Sequence, residues 1–476
     1  MPARCPMRIP TSAPAGPQLH RVESPFMKAE RLVVRAVLSL ATLLAACTTV
    51  SHQSPAQTVT AAASVASPPP LLTAGPPTPT PPLPAEFQDI ALIPGRLRGD
   101  WSVIGLITNR STDSVGQVEL EVSLFDADDA LLASRTVTPA LTTLAPGARS
   151  PFSARFPGAG LADHARAEVV AYAPIEMSTT IVEVDRLQAF PTDDGRIAVY
   201  GLATNTGRQA LEVVDLVLMA TSSTGAPIAL SDPPAGLSLL EPGASAPFAA
   251  LLDTNDPSVR LQAFSDARPV AISGEQPLSF SGPVQIRVDP QGAPLVIGIL
   301  HNEGNDWMTA DIVVELRRAD ELIGLGELEL PWPIAPGESQ PFLLSEFPGL
   351  VERLRSEGIE PADLTATAML DPAGSKKSTS PPVTLEADVT AQEVIEGSLF
   401  LKGTVTNDTS TKVDRPSVVA VLRSTEGGVI TAGFVIAGAE LAAGESLPFT
   451  LTLQLPAGAD VSMAEFDLRA AGFRSE

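Results

Sequence analysis

Gly105-Leu106-Ile107-Thr108-Asn109 opens, and Ala145-Pro146-Gly147-Ala148-Arg149-Ser150-Pro151-Phe152 closes, a stretch that the chain carries four times. The opening glycine and asparagine return as Gly201/Asn205, Gly298/Asn302 and Gly403/Asn407. The closing Gly-x-x-x-Pro-Phe returns as Gly243/Pro247/Phe248, Gly337/Pro341/Phe342 and Gly444/Pro448/Phe449. From Asn to Phe the spacing is 43, 43, 40 and 42 residues, and successive asparagines lie 96, 97 and 105 residues apart. A period near one hundred residues is the size of a small domain, so the frame is four similar modules.

Within the first copy the periodicity is that of strands. Trp101, Val103, Gly105 and Ile107 fall on one face of an extended run, while Ile104 and Leu106 fall on the other, so this strand reads as buried on both sides. Val118, Leu120, Val122 and Leu124 then alternate with Gln117, Glu119, Glu121 and Ser123, a half-buried strand with one wet face. Asn109 precedes the polar run Arg110, Ser111, Thr112 and reads as a turn residue whose amide bonds the backbone two residues on. The acidic stretch from Asp126 to Asp129 turns the chain toward Leu131 and Leu132 as a hairpin. The fixed glycines and asparagines are explained by turn geometry, and the phenylalanines by core anchoring; no ligand is needed to account for them.

Counting strands gives about seven per module with turns every eight to twelve residues, which closes naturally as an immunoglobulin-like β-sandwich. The all-β expectation is four tandem sandwiches over residues 87–174, 179–273, 276–374 and 383–476. The second repeats the alternation at Val214, Leu216 and Leu218. The third adds a predicted helix, 350–357, with Leu350, Val351 and Leu354 as its apolar face. Residues 375–382 read as a linker, and the other links are short, which predicts a semi-rigid rod.

Composition narrows the function classes. Hydrophobic residues make up 44% of 476, enough for several cores, but only 4% are aromatic, so each core is expected to hold Val, Leu, Ile and Ala around single aromatic anchors. A formal charge of −24 repels nucleic acid and anionic lipid within the screening length. Both cysteines, Cys5 and Cys47, precede the repeats, so the modules contain no disulfide and no thiolate metal site.

The N-terminal region reads as an address. Lys28, Arg31 and Arg35 precede an apolar run from Ala36 to Ala46, eleven residues and too short to span a bilayer. Leu44, Ala45, Ala46 and Cys47 resemble the bacterial lipoprotein signal, the lipobox. That resemblance implies cleavage before Cys47, diacylglyceryl transfer to its sulfur and a further N-acyl chain, together enough for durable membrane anchoring. Residues 1–26 fit poorly before a signal peptide, and translation is expected to start at Met27. Loss of residues 1–46 removes six basic and two acidic side chains and leaves a charge of −28. Residues 47–86 form the lipid-anchored linker; ten prolines lie between Thr48 and Glu86, so it is expected to be an extended tether with a limit on the order of 120 Å.

The pattern Gly-x-x-x-Asn, alternating strand, polar turn and Pro-Gly-x-x-x-Pro-Phe resembles the FxLYD domain and related bacterial CARDB-like adhesion modules. Val122, Ser123, Leu124, Phe125 and Asp126 match its naming motif most closely. Later copies depart there, at Met219/Ala220, Arg317/Arg318 and Leu422/Arg423, and Ala443 stands where the other copies have Pro. The resemblance implies an extracytoplasmic β-sandwich without a settled activity, so it transfers no functional residue.

A search for chemistry finds little. His164 and His301 are the histidines beyond the tether, and neither has a second ligand at metal spacing, so no metal and no cofactor are expected. No nucleophile elbow, no cysteine nucleophile and no phosphate-cradling loop occurs, so no catalytic residue is assigned and the chain is read as no enzyme. Trp307 and Trp332, the latter between Pro331 and Pro333, are the candidates for exposed interaction contacts. Three Trp and two Tyr in the whole chain argue against carbohydrate recognition, which usually uses several stacked rings.

The expected function is therefore non-enzymatic: a lipid-anchored, extracytoplasmic cell-surface protein whose modules serve protein interaction, adhesion or envelope scaffolding, with an extracytoplasmic protein as partner. Two alternatives stand beside it. One is a ligand-binding lipoprotein that passes a solute or signal to a membrane partner and needs a pocket at a module junction. The other is an accessory subunit of an extracytoplasmic enzyme.

Overall fold

A computed structural model describes residues 83–95, 97–176, 182–231, 235–236, 238–271, 277–462 and 464–475. The described residues from 83 onward form one compact unit of four all-β, immunoglobulin-like sandwiches. In the first, Ala85–Pro94, Trp101–Asn109 and Arg149–Phe156 form one antiparallel sheet. Val115–Phe125 lies at the centre of the other, between Leu131–Val137 and His164–Pro174. We call these the inlet sheet (holding the repeat Gly and Phe) and the outlet sheet (holding the alternating strand). The same pair recurs in each later module. In the fourth, Val383–Ile395 serves both, pairing through Val383 to Leu385 with Glu465–Arg474 and beyond that with Ser398–Thr406.

The repeat glycines sit in mid-strand, not in turns. Each lies directly across from the repeat phenylalanine: Gly105 opposite Phe152, Gly201 opposite Phe248, Gly298 opposite Phe342, Gly403 opposite Phe449. A Cβ on Gly298 would come within 2.4 Å of the Phe342 ring, and on Gly105 within 2.6 Å of the Phe152 ring. The missing side chain is thus the space the ring fills, which is how a core poor in aromatics seats its one large anchor. The later glycine has the other reason: Gly147, Gly243, Gly337 and Gly444 have φ of 71 to 76° with open space around them, the third position of a hydrogen-bonded turn that Pro-Gly favours.

Each repeat asparagine is fully buried and fully used. The Asn302 amide donates to Asp306 O at 2.7 Å and Ile334 O at 2.9 Å, and its Oδ1 accepts from Gly304 N–H at 3.0 Å. Its backbone exchanges hydrogen bonds with the Gly337 turn. Asn109, Asn205 and Asn407 make the same three side-chain contacts. The side chain ties the turn after its own strand to the loop that leads into the Phe strand.

The modules meet through sheet faces rather than as the linked rod that short connections suggested. The outer side of each inlet sheet packs on the outer side of the next outlet sheet. Ile104 and Leu106 of the first meet Met219 of the second, with Leu230 and Phe264 alongside. Ala198, Tyr200 and Ala249 of the second meet Val313 and Leu325 of the third. Trp332 of the third meets Val419, Val421, Ala432 and Ala471 of the fourth. The segment read as a linker is also packed: Ser375 is buried and Ser378 N–H donates to Trp307 O at 2.8 Å.

The helix Leu350–Glu357 forms as expected, with Leu350 and Leu354 buried, but the third buried residue is Arg353, not Val351. Arg353 is 1% exposed. Its guanidinium donates to Leu322 O at 2.7 Å, pairs with Glu321 at 2.6 Å and Glu357 at 3.0 Å, and lies 4.3 Å from the Phe190 ring centroid in the second module. Tyr200 of that module donates to Pro348 O. Arg353, outside the apolar face expected from Leu350, Val351 and Leu354, is the polar centre of the boundary between the second and third modules.

Candidate binding site at the last module boundary

The sequence-selected residues separate into three groups. The repeat Gly, Asn and Phe lie in four separate cores and share no surface. Cys47 and its lipobox residues Leu44, Ala45 and Ala46 lie outside the described residues. Trp307 and Trp332 are brought together.

Their meeting follows from one small bridge. Met308 and Ile334 exchange backbone hydrogen bonds of 3.1 and 2.8 Å, which sets Trp307 beside the Pro331-Trp332-Pro333 loop. Lys377 pairs with Met308 on the other side, and its Nζ reaches Asp306 at 2.8 Å, so the Trp307 loop is held from both flanks. Trp332 is 9% exposed and packed against the fourth module, not displayed to solvent as its sequence context suggested. Trp307 is half-buried.

Both indoles line a cavity of about 340 Å³ between the third and fourth modules. Its far wall is the outlet sheet of the fourth, where Val419 pairs across from Arg469 and Val421 from Asp467, so apolar and charged side chains share one face. Arg469 lies 3.5 Å from both Glu338 and Asp467, long contacts between half-exposed groups. Arg423 completes the rim and donates to Gly427 O at 3.3 Å. Sequence reading missed Arg423, Asp467 and Arg469; the alternation of charge with Leu468 was visible, but nothing marked that strand face as a boundary.

A second concavity of about 460 Å³ lies where the first three modules converge, with Asp215, Ser238, Glu327 and Asp371 in its lining. Ser238 donates to both Asp371 oxygens, at 2.8 and 2.7 Å. Partial burial raises the Glu327 pKa, and Asp311, Asp371 and Glu329 add repulsion; burial likewise raises Asp311, with Glu329 and Asp371 next. Among the described residues no group of three or more His, Cys, Asp or Glu is arranged to hold a metal ion. The sign of the pH effect follows from proton counting. A carboxylic acid with a raised folded pKa holds its proton more tightly when folded, so its stabilising contribution is full below the ordinary range near 4 and is lost as pH rises through the raised value. The thermal midpoint is expected to be higher at about pH 5 than at about pH 8, and Glu327→Gln is expected to reduce that difference. Calorimetry at the two pH values checks this; an unchanged difference in the variant would remove Glu327 as a source.

No protein-family profile matches the chain, and no curated protein matches it. Among solved structures, red sea bream transglutaminase aligns over 41% of this chain and 32% of its own, at 11% identity and a TM-score of 0.13. Trypsin-activated α2-macroglobulin from Escherichia coli aligns over 82% and 31%, at 10% identity and a TM-score of 0.13. The chain therefore spans about a third of the length of each. Similarity at that level carries no argument about activity, and the sandwich assignment rests on the strand pairing itself. No helix among the described residues is long and apolar enough to cross a membrane.

Proposed function

We propose that this is a non-enzymatic, extracytoplasmic scaffold, anchored by lipid on Cys47 and presenting four fixed immunoglobulin-like modules to an envelope or surface protein. The observation that carries the reading is that fully buried side chains cross the first two module boundaries: Leu106 and Met219, then Tyr200, Val313 and Leu325. Modules joined through such cores hold their outer surfaces at set distances, which a spacer or interaction platform requires and a set of independently tumbling binding units does not. The anchor reading is supported by the order of basic flank, apolar run, small residues and cysteine, followed by the proline tether. The extracytoplasmic resemblance to FxLYD and CARDB-like modules agrees with it.

Two measurements test the proposal. Cys47→Ser is expected to move the protein from the membrane to the soluble fraction of fractionated cells; unchanged retention would refute the lipid anchor. Crosslinking in intact cells is expected to capture a discrete envelope protein on the wild-type chain, and turnover of a hydrolase substrate by the purified chain would overturn the non-enzymatic reading.

A further inference from the structure

The position two residues before the carbonyl held by the repeat asparagine reaches across every internal boundary. Asn109 holds Leu144 O, and Thr142 donates to Asp215 of the second module at 2.7 Å from its N–H and 2.9 Å from its hydroxyl. Asn205 holds Leu240 O, and Ser238 donates to Asp371 of the third. Asn302 holds Ile334 O, and the corresponding residue is Trp332. A small hydroxyl that bridges the first two boundaries by bonding a carboxylate is replaced at the last by an indole, which lines the cavity there.

We propose that this cavity binds a short saccharide, one or two pyranose rings long. Tryptophan is scarce over the whole chain, but the fold gathers two of the three into one lining. An indole offers a flat apolar surface to the C–H face of a pyranose. The charged rim is Arg423, Arg469, Glu338 and Asp467, two guanidinium groups and two carboxylates. That balance disfavours a net anion or cation, each of which meets two like charges, and an apolar ligand would strand the rim in a desolvated space. Sugar hydroxyls donate and accept, so neighbouring hydroxyls on one ring can serve both kinds of partner. The ion pairs of Arg469, at 3.5 Å, are at the outer limit of hydrogen bonding, and Arg423 has donors beyond its bond to Gly427. Pro333, Pro341 and Pro382 restrict the backbone of the lining, so less of it has to be ordered on binding. At about 340 Å³ the cavity is at the small end of ligand sites, which sets the length of one or two rings.

Saturation-transfer NMR on the full-length protein, with diacetylchitobiose and maltose as probes in the millimolar range, tests this. Transfer to pyranose C–H protons of at least one is expected, accompanied by a change in tryptophan fluorescence. Trp307→Ala, at a half-buried position that leaves Trp332 packed, is expected to weaken binding roughly tenfold with little change in thermal midpoint. Arg423→Ala, on the rim of the cavity, is expected to weaken it as well. Two results would overturn the proposal: no transfer from either saccharide, whether or not the zwitterion glycylalanine gives transfer, or wild-type affinity in both variants.

Discussion

Asn302→Ala is expected to destabilise the third module by about 2–3 kcal/mol, a large effect for a single residue. The magnitude follows from what is left behind. Asp306 O and Ile334 O each lose a donor, Gly304 N–H loses its acceptor, and the Asn302 position is 0% exposed. Each buried polar group left unpaired costs about 1–3 kcal/mol; here Ile334 O keeps the Met308 N–H, while Asp306 O and Gly304 N–H are partly buried and lose the partner that Asn302 supplied. Urea unfolding followed through Trp307 and Trp332 in a Trp101→Phe background reports the module directly. Asn302→Asp should be at least as damaging at neutral pH, because a carboxylate cannot donate and faces two carbonyl oxygens. Acidification should restore part of the loss by returning one donor. A shift below about 1 kcal/mol in the alanine variant would mean that the clip is dispensable.

That clip shows how far the sequence could be read. Recurrence of Asn with polar followers identified a turn, and the bond from Oδ1 to the amide two residues on is the one turn chemistry anticipates. One Nδ2 bond in each of the four modules crosses to a loop 32 to 35 residues away, a distance no local rule spans. The glycines show the complementary failure. Their recurrence was legible but their reason was not, because a residue that makes room for a ring on the paired strand looks the same in one dimension as a residue that turns the chain. Arg353 was hidden for a further reason: a long charged side chain on a short amphipathic helix belongs to the wet face unless another module covers it. Strand alternation, by contrast, reported burial well. Ile104 and Leu106, on the second face of their strand, signalled burial on both sides, and the neighbouring module supplies the cover.

The way the modules meet leads to the second large effect, because a face-to-back contact has no internal stop. Inlet sheet on next outlet sheet is a heterologous contact, which continues indefinitely unless the end faces are made unfit. Flanking the repeat glycine on the inlet face, the modules carry Ile104 and Leu106, Tyr200 and Leu202, Ile297 and Ile299, and then Lys402 and Thr404. On the outlet face, the matching strand position is Glu121 in the first module and Val217, Val313 and Val419 in the others. Among the described residues, the two of these positions that face no adjoining module are thus the two that lose apolar character: Lys402 is exposed beside Thr450, and Glu121 sits among Ser134, Arg166 and Glu168. Like the polar outer faces of terminal repeats in solenoid proteins, these ends keep one copy from continuing onto the next. The combined variant Glu121→Val, Lys402→Ile, Thr404→Leu is therefore expected to associate head to tail in sedimentation velocity. It should form a concentration-dependent series of species rather than a single dimer, because a heterologous contact does not close on itself. The inlet substitutions alone should associate far less, since they would still meet Glu121 across a desolvated contact, where an unpaired charge is costly. A combined variant that sediments as the wild type does would show that the end faces are polar for solubility alone and that the stacking contact needs the covalent chain to form.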